Sequence, residues 1–355
     1  MYEIIRSWYS RNFSDPQAVI LLIGLTIIFA IVLLFGDILT PVLIALVMAY
    51  LLEGIVSMME RYHIPRALAA TIVLVAFLMF ILTLVFGVLP LLSKQVSQLV
   101  RELPTMIATG QEMLLELPER YPTLFTVEQI NEVIAGLRTE LGSFGQEIVS
   151  FSVSNVTNMI VVGIYAVLVP MIVFFALKDK KIILHWAQKF LPQRNDLSLA
   201  VWLEVDEKIA NYIRGKFIEI LIVWVVTYVT FALMGLNFAM LLSFLVGISV
   251  IIPFVGAVAV TVPVAIIAFF QWGITAQFWY LLLAYQVVQI LDGNVLVPLL
   301  FSEVVNLHPL AIIVAVLFFG GLWGIWGVFF AIPLATLIQA VLNAWPEALP
   351  EEAHA

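Results

Sequence analysis

The chain alternates long uncharged apolar stretches with short charged ones. A membrane-spanning helix needs about 20 apolar residues at 1.5 Å rise each. The first such window runs from Gln17 to Gly36 and the second from Ile38 to Leu52. Only Gly36-Asp37 parts them, which predicts a helical hairpin. Arg6 and Arg11 ahead of the first window give it the look of a signal peptide. No small-residue cleavage site follows, so an uncleaved anchor is expected. Further spans are expected at Ala67–Leu92, Phe151–Leu177, Phe217–Leu236 and Trp272–Leu291. Glu219 sits near one end of its window, where a carboxylate can snorkel toward water.

Two windows have the wrong length for simple spans. The uncharged run from Phe238 to Phe270 is too long for one helix and barely enough for two with a turn, and Pro253, Gly256 and Pro263 interrupt it. The stretch from Leu310 to Phe319 covers only about half a bilayer, on the order of 15 Å of helix. It is followed by the glycine-rich Gly320 to Gly327 run and then by Val328 to Trp345. Broken apolar segments of this kind predict re-entrant hairpins or discontinuous helices, which survive at membrane depth only inside protein or along a polar cavity.

Residues 94–150 are not apolar enough to span, yet they are patterned. Val127, Ile130, Ile134, Leu137, Leu141, Phe144, Ile148 and Phe151 recur at steps of three and four, the seam of bundled helices. Thr126 and Gln129 make a capping box at its start. Val85, Leu89, Leu92, Val96, Leu99 and Leu103 carry the same steps out of the third span, and Pro118 and Pro122 break the region between the two helices. This reads as an intrachain helical hairpin, or as a seam that also joins subunits. In Lys178–Lys216, the residues Leu197, Val201, Trp202, Val205, Ile209 and Tyr212 share one face, which predicts an amphipathic helix on the membrane surface.

Composition agrees with lipid as the main solvent: 63% of residues are hydrophobic and only 11% charged, against roughly 45–50% and 25% in soluble domains. Cysteine is absent and the net charge is −8, which excludes a disulfide framework and argues against a nucleic-acid partner. Lys and Arg concentrate before residue 67 and between residues 178 and 216, while residues 94–150 are acidic. The positive-inside rule then makes residues 94–150 periplasmic and both termini cytoplasmic. The expected organisation is membrane helices over residues 1–93, a periplasmic helical hairpin over 94–150 and a fourth membrane helix over 151–177. A cytoplasmic amphipathic linker follows over 178–216, then a C-terminal membrane core with broken helices over 217–346 and a cytoplasmic tail over 347–355. The fold class is an all-α polytopic membrane protein with about eight membrane segments.

No GxSxG, HExxH or Walker A pattern occurs, and the four histidines are scattered. An enzyme, a cofactor and a metal centre are not expected. Ionisable groups in the apolar last third are costly and so are functional candidates. These are Glu219, Asp292, Glu303 and His308, with Asn294 beside Asp292. Each also has a structural reading: Glu219 as an interfacial group, Asp292-Gly293-Asn294 as a turn, and Glu303 and His308 flanking another turn before Pro309. Pro253, Gly256, Pro263, Gly324, Gly327 and Pro333 free backbone groups in the broken segments, where they can kink and pack helices or bind solute.

Several of these residues together resemble a known family. Tyr212-Ile213-Arg214-Gly215-Lys216, Pro253-Phe254-Val255-Gly256 with Pro263, Asp292-Gly293-Asn294 and Pro298 carry the resemblance. So do Asn306-Leu307-His308-Pro309-Leu310, the Gly320–Gly327 run and Ala331-Ile332-Pro333-Leu334. This series is similar to the autoinducer-2 exporter family of bacterial membrane proteins. Trp8-Tyr9, Phe13-Ser14-Asp15-Pro16 and Leu177-Lys178-Asp179-Lys180 resemble its PerM-like branch. The resemblance implies a multi-pass protein of the bacterial inner membrane, homo-oligomeric and pentameric, linked to export of autoinducer-2 or to sodium–proton exchange. The sequence departs from the family pattern at Lys216, Phe254, Ala257 and Asp292, so the solute is not taken over with the family.

The leading reading is a permease or exporter: a secondary transporter of a small polar solute, with H+ or Na+ as coupling ion and Asp292 as the ion's partner. A non-transporting oligomeric scaffold and a passive channel are the alternatives.

Overall fold

The computed structural model describes residues 16–116, 126–132, 134–136, 156–189, 196–301 and 307–344. Among them every regular element is helical. Eight stretches are long and apolar enough to cross a membrane. Large apolar side chains on them point outward, Leu34, Leu233 and Leu317 being 78%, 83% and 71% exposed. That surface suits hydrocarbon and not water. The protein is an all-α polytopic membrane protein.

Helix α1 (Pro16–Arg61) carries the first two windows and breaks at Phe35 (φ −117°, ψ 18°). Its two arms return to the same part of the molecule. Leu21 and Leu25 share a cluster with Val201 and Val205, while the Tyr50 hydroxyl donates to Asp206 at 2.6 Å. A straight helix would hold residues 25 and 50 about 37 Å apart, so the expected hairpin forms.

Helix α2 (Arg66–Thr83) passes through a π turn at Leu84–Val88 into α3 (Leu89–Leu115). This unbroken rod is far longer than a bilayer is thick, so its end stands outside the membrane. Leu92 is buried in the core, and Val96 and Leu99 pack against it. Val85 and Leu89 of the same seam stay exposed. The predicted capping box is present: Gln129 N–H donates to Thr126 Oγ1 at 3.3 Å and Thr126 N–H to Gln129 Oε1 at 3.2 Å. Ile130 and Ile134 are buried as their seam positions predict. Pro118, Pro122 and the seam from Leu137 to Phe151 lie outside the described residues.

Helix α4 (Val156–Lys178) packs on α1 and α2 through Val169, Val173 and Leu177. Arg66 ties their ends together. Its guanidinium bonds Glu53 at 2.8 Å and Glu60 at 2.9 Å and donates to the Leu177 carbonyl at 2.8 Å. Two carboxylates and a helix-end carbonyl thus fill one planar fork. A short helix α5 (Lys180–Gln188) follows.

The surface helix expected around residues 197–212 is not separate. It is the first half of α6 (Asp196–Leu233), which runs straight into the span. Val201 and Val205 pack against Ala340 and Val341, so the apolar face that resembled a lipid-surface stripe meets protein instead.

Both broken windows reverse inside the molecule. After Gly235 (φ 74°) and Phe238 (φ 56°) the chain turns into α7 (Ala239–Ser249), only about 16 Å long. Helix α7 lies on α6 so closely that a Cβ on Gly247 would stand 2.7 Å from Trp224 Cβ. A tip at residues 250–254 leads into α8 (Val255–Trp272). A Cβ on Gly256 would collide with the Ser249 carbonyl, so glycine is what lets the tip close. Helix α9 (Ala276–Leu291) continues through a π turn (Asp292–Leu296) into α10 (Val297–Phe301). Asp292-Gly293-Asn294 is therefore a bulge within a helix and not the turn its composition suggested. Helix α11 (Pro309–Ala344) breaks at Gly324 (φ 59°, ψ −138°). A Cβ on Gly327 would collide with the Phe319 carbonyl, and one on Gly320 would stand 2.9 Å from Val328. The two halves thus form a hairpin, α11a before Gly324 and α11b after it.

Candidate functional site

The reversals leave a cavity of about 290 Å³ between α6, the α7–α8 tip, the π turn and α11. Tyr212, Lys216 and Glu219 come from one face of α6, Pro253 and Phe254 from the tip, Gln289 and Asp292 from α9 and its bulge, and Ile312 and Ile332 from the two halves of α11. Each broken segment therefore supplies part of the wall.

The chemistry of the cavity centres on Lys216. Its Nζ stands 2.6 Å from Glu219 Oε2, an i, i+3 pair on one helix face. Both residues are almost fully buried, at 5% and 2% exposure. The ammonium also donates to the Val250 carbonyl at 2.9 Å and lies 5.2 Å from the centre of the Phe301 ring. Val250 follows the last turn of α7, where helix carbonyls lack partners and the dipole is negative, so a cation there caps the short helix. Lys216 thus holds the α7–α8 tip against α6. Glu219 Oε2 is close to the ammonium but has no well-aligned hydrogen bond among the described residues. The pair rests on charge more than on directed bonding.

Asp292 completes the group. Its Oδ1 is buried and has no hydrogen-bond partner among the described residues. It shares the cavity wall with Lys216 and Glu219. An unpartnered buried carboxylate oxygen is expensive, and it marks a place where a proton, a cation or a donor group can bind. A π bulge is a frequent way to turn such a group out of a helix at a working site. The Asn294 side chain donates to the Ile290 carbonyl at 2.9 Å, so it satisfies one of the carbonyls that the bulge frees.

The tip carries visible backbone strain. Phe254 has φ 64° and ψ −45°, a conformation that bulky side chains avoid. It is still 59% exposed and lines the cavity.

Of the residues singled out from sequence, Asp292 and Pro253 line the cavity, and Gly256 closes the tip beside it. Asn294 braces the bulge. Pro263 lies within α8 and Pro333 within α11, next to the lining residue Ile332, and neither faces the cavity. Gly324 and Gly327 form the α11 hairpin away from it. His308 caps α11, its Nδ1 accepting from the Leu310 N–H at 3.2 Å, which is the turn role open to it from sequence. Glu303 lies outside the described residues. Glu219 does not reach toward water as expected: a lysine three residues earlier on the same helix face lets the carboxylate stay buried. Lys216 and Glu219 are cavity residues that the apolar windows left apart, Lys216 only as a departure from the family pattern and Glu219 only as an interfacial group. The available signal was their i, i+3 spacing, since charges at membrane depth pair with one another. Among the described residues no three His, Asp or Glu side chains converge as a metal site would require.

The family model for AI-2E family transporters matches residues 19–347. The chain is 45% identical over 347 residues to PerM of Escherichia coli K12, which is provisionally named a permease, with 98% of each chain covered. YueF of Bacillus subtilis 168, provisionally named a transport protein, is 29% identical, with 84% of this chain and 82% of YueF covered. The AI-2 transport protein TqsA of Escherichia coli K12 is 23% identical, with 92% and 91% covered.

Proposed function

The chain belongs to the AI-2E family of transporters, and from that premise we propose that it moves a small polar solute through the cavity beside Lys216, Glu219 and Asp292. As a multi-pass bacterial membrane protein of this family, it has the bilayer and a small-molecule solute as its partners. The observation that carries the site is Asp292 Oδ1, buried without a partner where the α7–α8 tip, the bulge and α11 meet. Asp292 takes up the coupling ion, H+ or Na+. Solute then binds when the tip held by Lys216 shifts, since alternating access in broken-helix transporters moves such segments about a fixed site. The remaining candidates, Asn294, Pro253, Gly256, Pro263, Gly324, Gly327 and Pro333, shape the moving segments, with Glu303 and His308 at the approach to α11. The protein sits in the inner membrane with both termini cytoplasmic, which the Lys and Arg distribution supports. It assembles as a homo-oligomer, a pentamer by family resemblance. The solute is left as a class, because TqsA, the relative named for AI-2, shares only 23% identity.

The test is solute and proton flux in proteoliposomes for the wild type and Asp292→Asn. The variant is expected to bind or leak solute while losing ion-driven accumulation. Coupled flux at the wild-type rate in Asp292→Asn would remove Asp292 from the mechanism.

A further inference from the structure

Helix α5 begins directly after the α4 span, with the bend made at Asp179 (φ −104°, ψ 18°). Its Ile182, Ile183 and Trp186 are 69%, 45% and 61% exposed. At 3.6 residues per turn these three fall within an arc of about 100°, so α5 presents an exposed apolar stripe. Lys181, His185 and Lys189 run along one flank of the stripe, while Lys180 turns away to Glu53 at 3.4 Å.

Lys178 closes the α4 span just before this helix. Its ammonium stands 5.8 and 5.9 Å from the rings of Phe174 and Phe175 at the end of α4. A lysine in that posture keeps its stem beside hydrocarbon and its head in the headgroup layer. The stripe of α5 therefore begins at the very end of an apolar span. Charge around it is unevenly matched. Glu53 and Glu60 are already engaged by Arg66, Lys180 and Lys181. Lys178 stands 3.9 Å from Asp179, at the edge of ion-pair range, and Arg61 and Lys189 have no ion pair among the described residues.

We propose that α5 is an interfacial helix that binds the headgroups of anionic phospholipids. Ile182, Ile183 and Trp186 enter the acyl boundary, and Lys189, together with the more loosely held Lys181 and Lys178, holds lipid phosphate. Apolar insertion fixes the depth of the helix, and the excess of basic over acidic groups selects the lipid. The proposal stands independently of the solute site.

The experiment places the full-length protein in nanodiscs with brominated phosphatidylglycerol or brominated phosphatidylcholine at equal mole fraction. The Trp186 signal is the tryptophan emission of the wild type minus that of Trp186→Phe. Trp186 should be quenched more by the brominated anionic lipid. The excess should shrink at high salt and fall by about fivefold for each lysine exchanged among Lys178→Gln, Lys181→Gln and Lys189→Gln. Thermal stability of the variants checks that exposed exchanges leave the fold intact. Equal quenching by the two lipids would overturn the charge selection. No quenching by either would mean that α5 stands clear of the bilayer or is covered by a second copy, and would overturn the proposal altogether.

Discussion

Lys216→Met removes one partner of a buried ion pair while roughly keeping the side-chain volume. At 2.6 Å and an effective dielectric of about 20, the lost attraction is roughly 6 kcal/mol. The wild type sets this against a desolvation cost of several kcal/mol per ion, so the intact pair is close to neutral. The variant keeps the cost for Glu219 and loses the attraction. It also strands the Val250 carbonyl, which takes the ammonium at 2.9 Å. The expected loss is about 3–5 kcal/mol. Lys216→Met with Glu219→Leu should recover most of it, because no charge is then left alone. The assay is thermal unfolding in detergent at one fixed scan rate for the wild type, both single variants and the double variant. A double-mutant cycle read from these should give a coupling of at least about 3 kcal/mol, because the double variant recovers most of what each single variant loses. Single variants within about 0.5 kcal/mol of wild type, or a double variant as weak as the worse single, would refute the buried pair. Flux adds a separate reading: the recovered double variant should fold and still transport poorly, because the tip has lost its tether to α6.

Gly327→Ala should strongly reduce the folded yield, by an amount equivalent to about 3 kcal/mol or more, because the new methyl meets the Phe319 carbonyl where neither chain can yield. Gly321→Ala is the control: its Cβ enters open space, and the fluorescence size-exclusion profile should match wild type. Arg66→Lys should lower the apparent melting temperature by the equivalent of about 1–3 kcal/mol, since a point charge cannot bridge Glu53, Glu60 and the Leu177 carbonyl together. An unchanged melting curve for Arg66→Lys would show that the fork contributes little.

The apolar windows made the membrane class and most spans legible, because lipid forces each segment to satisfy its own backbone and so writes its length into composition. The breaks were legible for the same reason: Phe238–Phe270 and Leu310–Phe319 have lengths that no straight span fits. The Thr126–Gln129 box was readable because both partners lie within one turn. Where the argument needed a distant neighbour, the windows failed. Residues 197–212 have the period of a surface helix, but period does not say whether lipid or the end of α11 covers the stripe. Asp292-Gly293-Asn294 has turn composition, yet a π bulge accommodates it because Asn294 can bond the freed Ile290 carbonyl.

The sequence by itself therefore determined that the chain lives in lipid, that its last third is broken helix, and that few charges enter that part. Tertiary structure alone decided which of those charges work together. Glu219 reads as interfacial in one dimension. It becomes a buried partner of Lys216 because α6 runs unbroken through both residues, and because the folded-back α7 brings the Val250 carbonyl to the same ammonium. Burial of a charge depends on what surrounds it from every side, and linear spacing records only the neighbours on its own helix.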